Sequence, residues 1–412
     1  MERTILHCDL NNFYASVECV RYPELKDKFV AVCGSAEERH GIVLAKNQKA
    51  KLLGVKTGDA IWQARQKCPE LIVIKPHFEE YIKYSKAVKE IYYCYTDLVE
   101  SFGLDECWLD VTGSRMLFGG GEKIAFDIKE RIKKELGLTI SAGVSFNKVF
   151  AKLGSDLKKP DAVSVINKND FKDKIWHLAA NELLWVGRAT YKKLLRYNVK
   201  TIGDLANTPK DILRCWFGVN GEMLWRYANG LDDSRVLPFG AAVPIKSISN
   251  GITCVDDLRS HEEVWRVIFA LSDEIGSKLR SSGLTANGIR LAVKDNRLVT
   301  KGYQAVLPFS VQSSYFVAQK AMEIFSKNYD FSFPVRALSV TAYSLDGENE
   351  SFQLTLSGET ELQNKKCIIE RTADNIQKRF GEDAISSALM MLENKMPKGK
   401  TPDMIMPGMM YK

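Results

Sequence analysis

The hydrophobic and polar positions fall into a sequence of short elements. Thr4 to Leu10 is an apolar run of strand length, and Asn11 to Val20 has the spacing of a helix. Between residues 21 and 77, short mixed segments are punctuated by Gly34, Gly41, Gly54, Gly58 and Pro69, the mark of a small insertion rather than a large core. From Glu79 to Tyr95, the residues Tyr81, Tyr84, Val88, Ile91 and Tyr95 recur at steps of three and four and predict a helix. Two strand-like segments, 98–102 and 106–111, flank Gly103-Leu104-Asp105, and Gly119-Gly120-Gly121 then breaks the chain. A second helix carries Ile124, Ile128, Ile132 and Leu136 on one face. Thr139–Val144 reads as a strand and Asn147–Leu157 as a helix.

This order predicts an α+β sandwich, with helices on one face of an antiparallel sheet, ending near Lys158-Lys159-Pro160-Asp161. Residues 170–235 read as helical, with Leu184-Trp185-Val186-Gly187-Arg188 joining two short helices. Residues 236–245 read as a linker. From 246 to 347, strands alternate with two amphipathic helices near 261–282 and 312–328. The remainder, 348–412, reads as a C-terminal tail: a polar segment, one helix near 361–379, and a Met- and Pro-rich end from Met404 to Met410. No internal repeat is present.

The length of 412 residues fits two to four domains at about 150 residues each. No stretch approaches the roughly 18 continuous apolar residues of a membrane span, and Met1-Glu2-Arg3-Thr4 opens no cleavable signal. The expectation is a cytoplasmic protein without a membrane partner. The balance of 58 basic and 51 acidic residues, +7, permits a polyanionic partner without demanding one. Nine scattered cysteines without a CxxC pair fit reduced thiols rather than a zinc site.

The candidate chemistry is acidic. Asp9 ends the first strand, and Asp105-Glu106 lies where two later strands meet. If these ends lie side by side, three carboxylates crowd one place, which is costly unless cations neutralise them. Mg²⁺ takes oxygen ligands of this kind together with substrate phosphates. Two such ions would support in-line phosphoryl or nucleotidyl transfer. Solvated turn acids are the competing reading, and spacing alone does not separate the two.

The flanking residues narrow the choice. His7-Cys8-Asp9-Leu10-Asn11-Asn12-Phe13-Tyr14-Ala15-Ser16-Val17-Glu18 resembles the opening motif of the Y-family DNA polymerases. Ser101-Phe102-Gly103-Leu104-Asp105-Glu106-Cys107-Trp108-Leu109-Asp110 resembles their second acidic motif. Ala142-Gly143-Val144-Ser145-Phe146-Asn147-Lys148-Val149-Phe150-Ala151-Lys152, followed by Lys158-Lys159-Pro160, resembles a third. The resemblance runs in order through residues 1–347 and is strongest to the bacterial DNA polymerase IV branch.

That resemblance implies a multidomain α+β right-hand polymerase. Its palm would be 1–20 and 78–165, its fingers 21–77, its helical thumb 166–235 and its α/β little finger 246–347. It implies that Asp9, Asp105 and Glu106 are catalytic and bind two Mg²⁺ ions, with the Leu10 carbonyl assisting and Mn²⁺ as a substitute. Tyr14 matches the steric gate, whose ring clashes with a ribose 2′-hydroxyl. Phe13, Gln48, Lys51 and Lys159 would complete a nucleotide site. Many relatives carry Tyr and Arg where Gln48 and Lys51 stand; Lys51 keeps the charge but loses the planar fork.

Gly187, Arg188 and Thr190 resemble a helix-hairpin-helix that holds a DNA phosphate on backbone amides. Asn198 stands where a glycine is common and tolerates a left-handed backbone. In the little finger, Lys246, Ser247, Arg290, Lys294 and Arg297, with Lys301, would meet DNA. Gln353, Leu354 and Leu356 resemble a sliding-clamp motif, with Ser357 where an aromatic or apolar residue is usual.

The function implied is template-directed, low-fidelity lesion bypass on primer–template DNA with deoxynucleoside triphosphates, by a monomer without a proofreading nuclease. A non-catalytic DNA-binding scaffold is the rival reading, and it predicts loss of one of the three acids. A palm-fold nucleotide cyclase is another, and it predicts no hairpin thumb.

Overall fold

A computed structural model describes residues 2–37, 39, 41–241, 244–348, 359–381, 384–391 and 395–397. The chain forms two compact units, one from residues 1–34 and 42–242 and the other from 35–41 and 243–401.

The first unit opens with β1 (Ile5–Leu10) and α1 (Phe13–Arg21). The insertion carries β2 (Val30–Cys33), β3 (Val43–Lys46), α2 (Gln48–Leu52), α3 (Ile61–Lys67) and β4 (Ile72–Ile74). Then come α4 (Phe78–Tyr93), β5 (Val99–Ser101), β6 (Glu106–Asp110), α5 (Arg115–Phe118), α6 (Gly121–Leu136), β7 (Ile140–Ser145), α7 (Lys148–Leu157) and β8 (Val163–Val165). The helices α8 (Phe171–Ile175), α9 (Arg188–Arg196), α10 (Ile202–Asn207), α11 (Lys210–Phe217) and α12 (Val219–Ala228) complete it.

The central sheet has the order β5-β6-β1-β7-β8. All six residues of β1 are buried, as an apolar run without alternation demands of a strand covered on both faces. Leu6, Cys8 and Leu10 join Ile124, Ile128 and Ile132 of α6 and Tyr81 and Val88 of α4 in one core. Ile5 packs with Trp108 and Ala151 of α7. The sequence pattern placed helices on one face of an antiparallel sheet, and the structure differs twice. The sheet is sandwiched between helices on both sides, and β8 runs parallel to β7.

Glycine fixes how closely α7 crosses. A Cβ at Gly143 would lie 1.9 Å from the Ala151 carbonyl oxygen, and one at Gly154 would lie 3.1 Å from the Gly143 Cα. Only glycine admits this backbone-to-backbone approach. It brings the side chains of α7 down onto the ends of β1 and β6.

The insertion builds its own small sheet, β3-β2-β4, around Ala31, Cys33, Val43, Ala50, Val55 and Ala64. The helices α8–α12 enclose a third core containing Leu194, Ile202, Leu205, Leu213 and Leu224. Part of the stretch read as a linker is bound to this unit. Val236 is buried, the Leu237 N–H donates to Glu100 at 3.0 Å, and the Phe239 N–H donates to the Asp97 carbonyl at 2.8 Å.

The second unit contains β9 (Ser247–Leu258), α13 (His261–Ser281), β10 (Leu284–Asp295), β11 (Thr300–Val311), α14 (Ser314–Asn328) and β12 (Val335–Gly347). The helices α15 (Glu359–Phe380) and α16 (Ala388–Met391) follow. The strands form an antiparallel sheet in the order β11-β10-β12-β9, with Val264, Val267, Leu271 and Ile275 of α13 and Val317, Ala321 and Phe325 of α14 over one face.

The stretch read as a tail needs correction, because α15 is docked. The Arg280 guanidinium of α13 is buried against Glu370 at 2.5 Å and Asp374 at 2.7 Å. Glu370 also accepts the N–H groups of Ser314 at 2.9 Å and Tyr315 at 3.3 Å, so it caps the start of α14 in place of Ser313. All nine cysteines are free thiols, and no helix among the described residues is long and apolar enough to cross a membrane.

Candidate functional site

The acidic residues meet by strand register. Asp9 pairs across the sheet with Glu106, and the Leu10 N–H donates to the Asp105 carbonyl at 3.0 Å. Burial acts on all three carboxylates, and neighbouring carboxylates add to it at Asp9 and Asp105. Burial first, opposed by Lys159 and reinforced by Glu106, pushes the Asp9 carboxyl up to about 7. Burial and the neighbouring Glu106 push Asp105 up to about 6. Glu106 is lowered to about 2: burial works against this, but His7 and Lys152 outweigh it.

Two lysines serve as counter-ions. Lys159 Nζ bonds Asp9 at 2.6 Å and Asp156 at 2.7 Å. Lys152 Nζ bonds Glu106 at 2.5 Å. No three acidic, His or Cys side chains among the described residues are already drawn together as a ligand set. The donors nevertheless fit a hard divalent cation. They are oxygens only, two of them are pushed towards protonation by burial first and by neighbouring carboxylates second, and added positive charge opposes both.

Next to the acids, Asn12 takes a left-handed backbone at φ 52° and does not cap α1 with its side chain, so the first-turn N–H groups of α1 are left without a side-chain acceptor. Tyr14 projects from that turn, half-buried. Its ring stacks on Tyr81 at 4.3 Å and 12° and meets Phe78 edge-on at 6.1 Å. Tyr81 is itself held by Glu18, which is fully buried and accepts the phenol at 2.5 Å and His77 at 2.9 Å. Phe13 is 3% exposed and belongs to the core behind Tyr14, so it supports that ring rather than lining an open site.

Gln48 and Lys51 sit on α2, whose start is capped by Asn47 accepting the Ala50 N–H. Lys51 is exposed and Gln48 half-buried. Among the described residues neither bonds to the acidic cluster; Lys51 instead helps lower the pKa of Lys46, chiefly a burial effect.

Gly187 is the cap residue of α9, with exposed Arg188 and half-buried Thr190 in the first turn. At Gly187 φ is −75°, so its backbone needs no left-handed freedom. The left-handed residue is Trp185, at φ 72°. An added Cβ at Gly187 would meet nothing within 4 Å, so the fold itself does not require glycine there and the turn is open to solvent. Asn198 does take the left-handed conformation, at φ 60°.

In the second unit, alternation along β10 sends Ile289, Leu291 and Val293 into the core and Arg290 and Lys294 to the uncovered face. Ser247 joins that face beside Tyr343, and exposed Lys246 precedes it. Small or polar residues surround Arg290: Thr341, Ser339 and Ser249 across the strands, with Gln304 bonded to it at 3.1 Å. Lys301 pairs with Val293 and so stands on the helical side, away from Arg290. Arg297 is folded onto Asp295 at 2.8 Å and over the Phe333 ring at 3.2 Å. Gln353, Leu354 and Leu356 lie outside the described residues.

Sequence reasoning missed His7, Lys152, Ser155, Glu18 and Tyr81. The available signals were that His7 and Glu18 bound the first motif and that Lys152 falls within the third, one helical turn beyond buried Lys148.

Comparison with known proteins agrees with this geometry. The impB/mucB/samB family model matches residues 8–156, and the C-terminal domain model of that family matches 245–356. The thumb-domain model named for DNA polymerase-iota matches 183–232. A DNA polymerase IV of Acetivibrio thermocellus is 50% identical over 391 residues, covering 95% of this chain and 98% of that protein. A DNA polymerase IV of Clostridium acetobutylicum is 34% identical over 400 residues, covering 95% and 99%. Among solved structures, a chimeric Y-family DNA polymerase superposes with a TM-score of 0.73 over 83% of this chain and 98% of its own, at 21% identity. The chain belongs to the Y family of DNA polymerases, alongside the bacterial DNA polymerase IV proteins.

Proposed function

We propose that this chain is a translesion DNA polymerase that extends a primer on a DNA template by nucleotidyl transfer. The observation that carries the reading is the register that sets Asp9 opposite Glu106, with Asp105 adjoining, one turn of chain from Tyr14. The scaffold reading requires one of these acids to be lost, and all three are present.

In the reaction, the primer 3′-hydroxyl attacks the α-phosphate of a deoxynucleoside triphosphate and pyrophosphate leaves. Asp9, Asp105 and Glu106, with the Leu10 carbonyl, would hold two Mg²⁺ ions, for which Mn²⁺ substitutes. When bound, such ions lower the pKa of the attacking hydroxyl and neutralise charge developing on the phosphoryl oxygens. The chain's own groups bind and orient. Lys159 leaves Asp9 for the triphosphate, and the uncapped first-turn N–H groups of α1 donate to the same phosphates. Tyr14, rigid against Tyr81, excludes a 2′-hydroxyl. Gln48 and Lys51 approach the triphosphate from the insertion.

We assign residues 1–20 and 78–165 as palm, 21–77 as fingers, 166–235 as thumb and 246–347 as little finger. The α9 turn at Gly187, Arg188 and Thr190 takes a backbone phosphate. The uncovered sheet face, with Lys246, Ser247, Arg290 and Lys294, lies along the duplex, positioning it without reading bases. A sliding clamp engages Gln353, Leu354 and Leu356.

Primer extension on an undamaged template with Mg²⁺ tests the reading. Wild type is expected to add templated deoxynucleotides, and Asp105→Ala to lose at least about a thousandfold in rate. DNA binding without extension by either protein would favour the scaffold.

A further inference from the structure

The surroundings of Glu106 contain groups for which the reaction just described has no use. Its Oε2 atom is bonded by Lys152 Nζ and also faces His7 Nε2 at 3.3 Å. That imidazole nitrogen is fully buried and finds no hydrogen-bond partner.

The imidazole is anchored one residue deeper. Ser155 Oγ donates its only proton to the Lys152 carbonyl at 2.7 Å. The same hydroxyl lies 2.9 Å from His7 Nδ1 and so ties the imidazole to α7. His7 Nε2 faces the Glu106 carboxylate and, with Lys152, favours its ionised form. A half-buried carboxylate in so crowded a site needs positive charge placed against it. The Lys152 ammonium supplies it, lying also 5.4 Å from the Phe102 ring centroid. Lys152 thus enters the arrangement twice, through its carbonyl and through its side chain. The close crossing of α7 at Gly143 is what lets it reach.

We propose that Lys152 is a positioning residue, an internal cation that holds Glu106 at its working place until a divalent ion displaces it, with His7 and Ser155 shaping its seat. The inference rests on Asp9, Asp105 and Glu106 being the metal ligands. It makes Lys152 a competitor of the metal: the DNA-free protein binds divalent ions weakly because the ammonium must first be released from Glu106.

The test is Mn²⁺ titration of the full-length, DNA-free protein, following free Mn²⁺ by electron paramagnetic resonance. Lys152→Met and Lys152→Gln are expected to tighten Mn²⁺ binding by roughly tenfold, as removal of a directly competing charge implies. Lys152→Arg, which keeps the charge, is expected to stay within about threefold of wild type. Should either neutral variant, with a wild-type circular dichroism spectrum, bind Mn²⁺ no more tightly than wild type, the proposal is overturned. The polar, similarly sized glutamine guards against a methionine variant that fails to fold. Asp105→Ala is the separate control. If wild type binds Mn²⁺ and Asp105→Ala binds it equally, the metal-ligand reading falls, and the proposal with it.

Discussion

Tyr14 stands on a floor that it does not build. Its stack on Tyr81 is worth about 1 kcal/mol beyond area burial, and Tyr81 is fixed by a carboxylate with no access to solvent. A ring held this way excludes by shape, because it cannot swing aside at low cost. Tyr14→Ala is expected to raise ribonucleotide over deoxynucleotide insertion by more than about tenfold. Tyr81→Leu, which leaves Tyr14 in place but unstacked, should give an intermediate rise. Single-nucleotide insertion kinetics with matched ribo- and deoxynucleotides check both; unchanged sugar selection in Tyr14→Ala would remove the gate from this residue. Tyr14 was legible in the sequence because its motif is local. Glu18 and Tyr81 were not, since the bond between them spans 63 residues and nothing in either neighbourhood announces it.

At the scale of elements, α15 shows how a correct helix can be placed wrongly. Its exposed positions include Leu362, Ile368, Ile369 and Phe380, while its docked side carries Glu370 and Asp374. A reader of amphipathic pattern would bury the opposite face. The docking is polar because its anchor, Arg280, is a buried cation on α13 that needs two carboxylates. Arg280→Met is expected to cost about 3–5 kcal/mol, the usual penalty for removing one partner of a buried ion pair. Urea denaturation measures it; a loss below about 1 kcal/mol would reduce the contact to a surface pair. Strand β8 illustrates the same limit. Its apolar residues were visible, but its parallel pairing with β7 depends on a crossover that three residues cannot signal.

The stability of the whole molecule is linked to its acidic site. In the folded chain Asp9 and Asp105 are raised to about 7 and about 6 from an ordinary 3.8. The folded, metal-free state therefore binds protons more tightly than the unfolded state, and the contribution of these two groups to stability falls as pH rises from about 4 to about 7. Glu106, lowered to about 2, has the opposite sign and stays ionised across this window. A divalent cation thus competes with protons at Asp9 and Asp105 at pH 6 but hardly at pH 8. Saturating Mg²⁺ is expected to raise the thermal midpoint more at pH 8 than at pH 6. Differential scanning calorimetry with and without chelator tests this, and equal shifts at the two pH values would contradict the linkage.

What the sequence determined by itself is local: the apolar run of β1, the periodic faces of α4 and α6, and the three motifs, whose family resemblance implies a set of Asp9, Asp105, Glu106, Tyr14 and Lys159. The strand and the helix faces are carried by spacings of a few residues, which the chain expresses wherever it folds. The tertiary structure decided which charges meet. Lys152 reaches Glu106 across 46 residues and Lys159 reaches Asp9 across 150, because α7 crosses β7 at a glycine and carries its lysine over the ends of β1 and β6. Arg280 reaches Asp374 across 94 for a similar reason. Side-chain partnerships of this kind depend on the angle and closeness at which elements pack, and no periodicity along the chain encodes those.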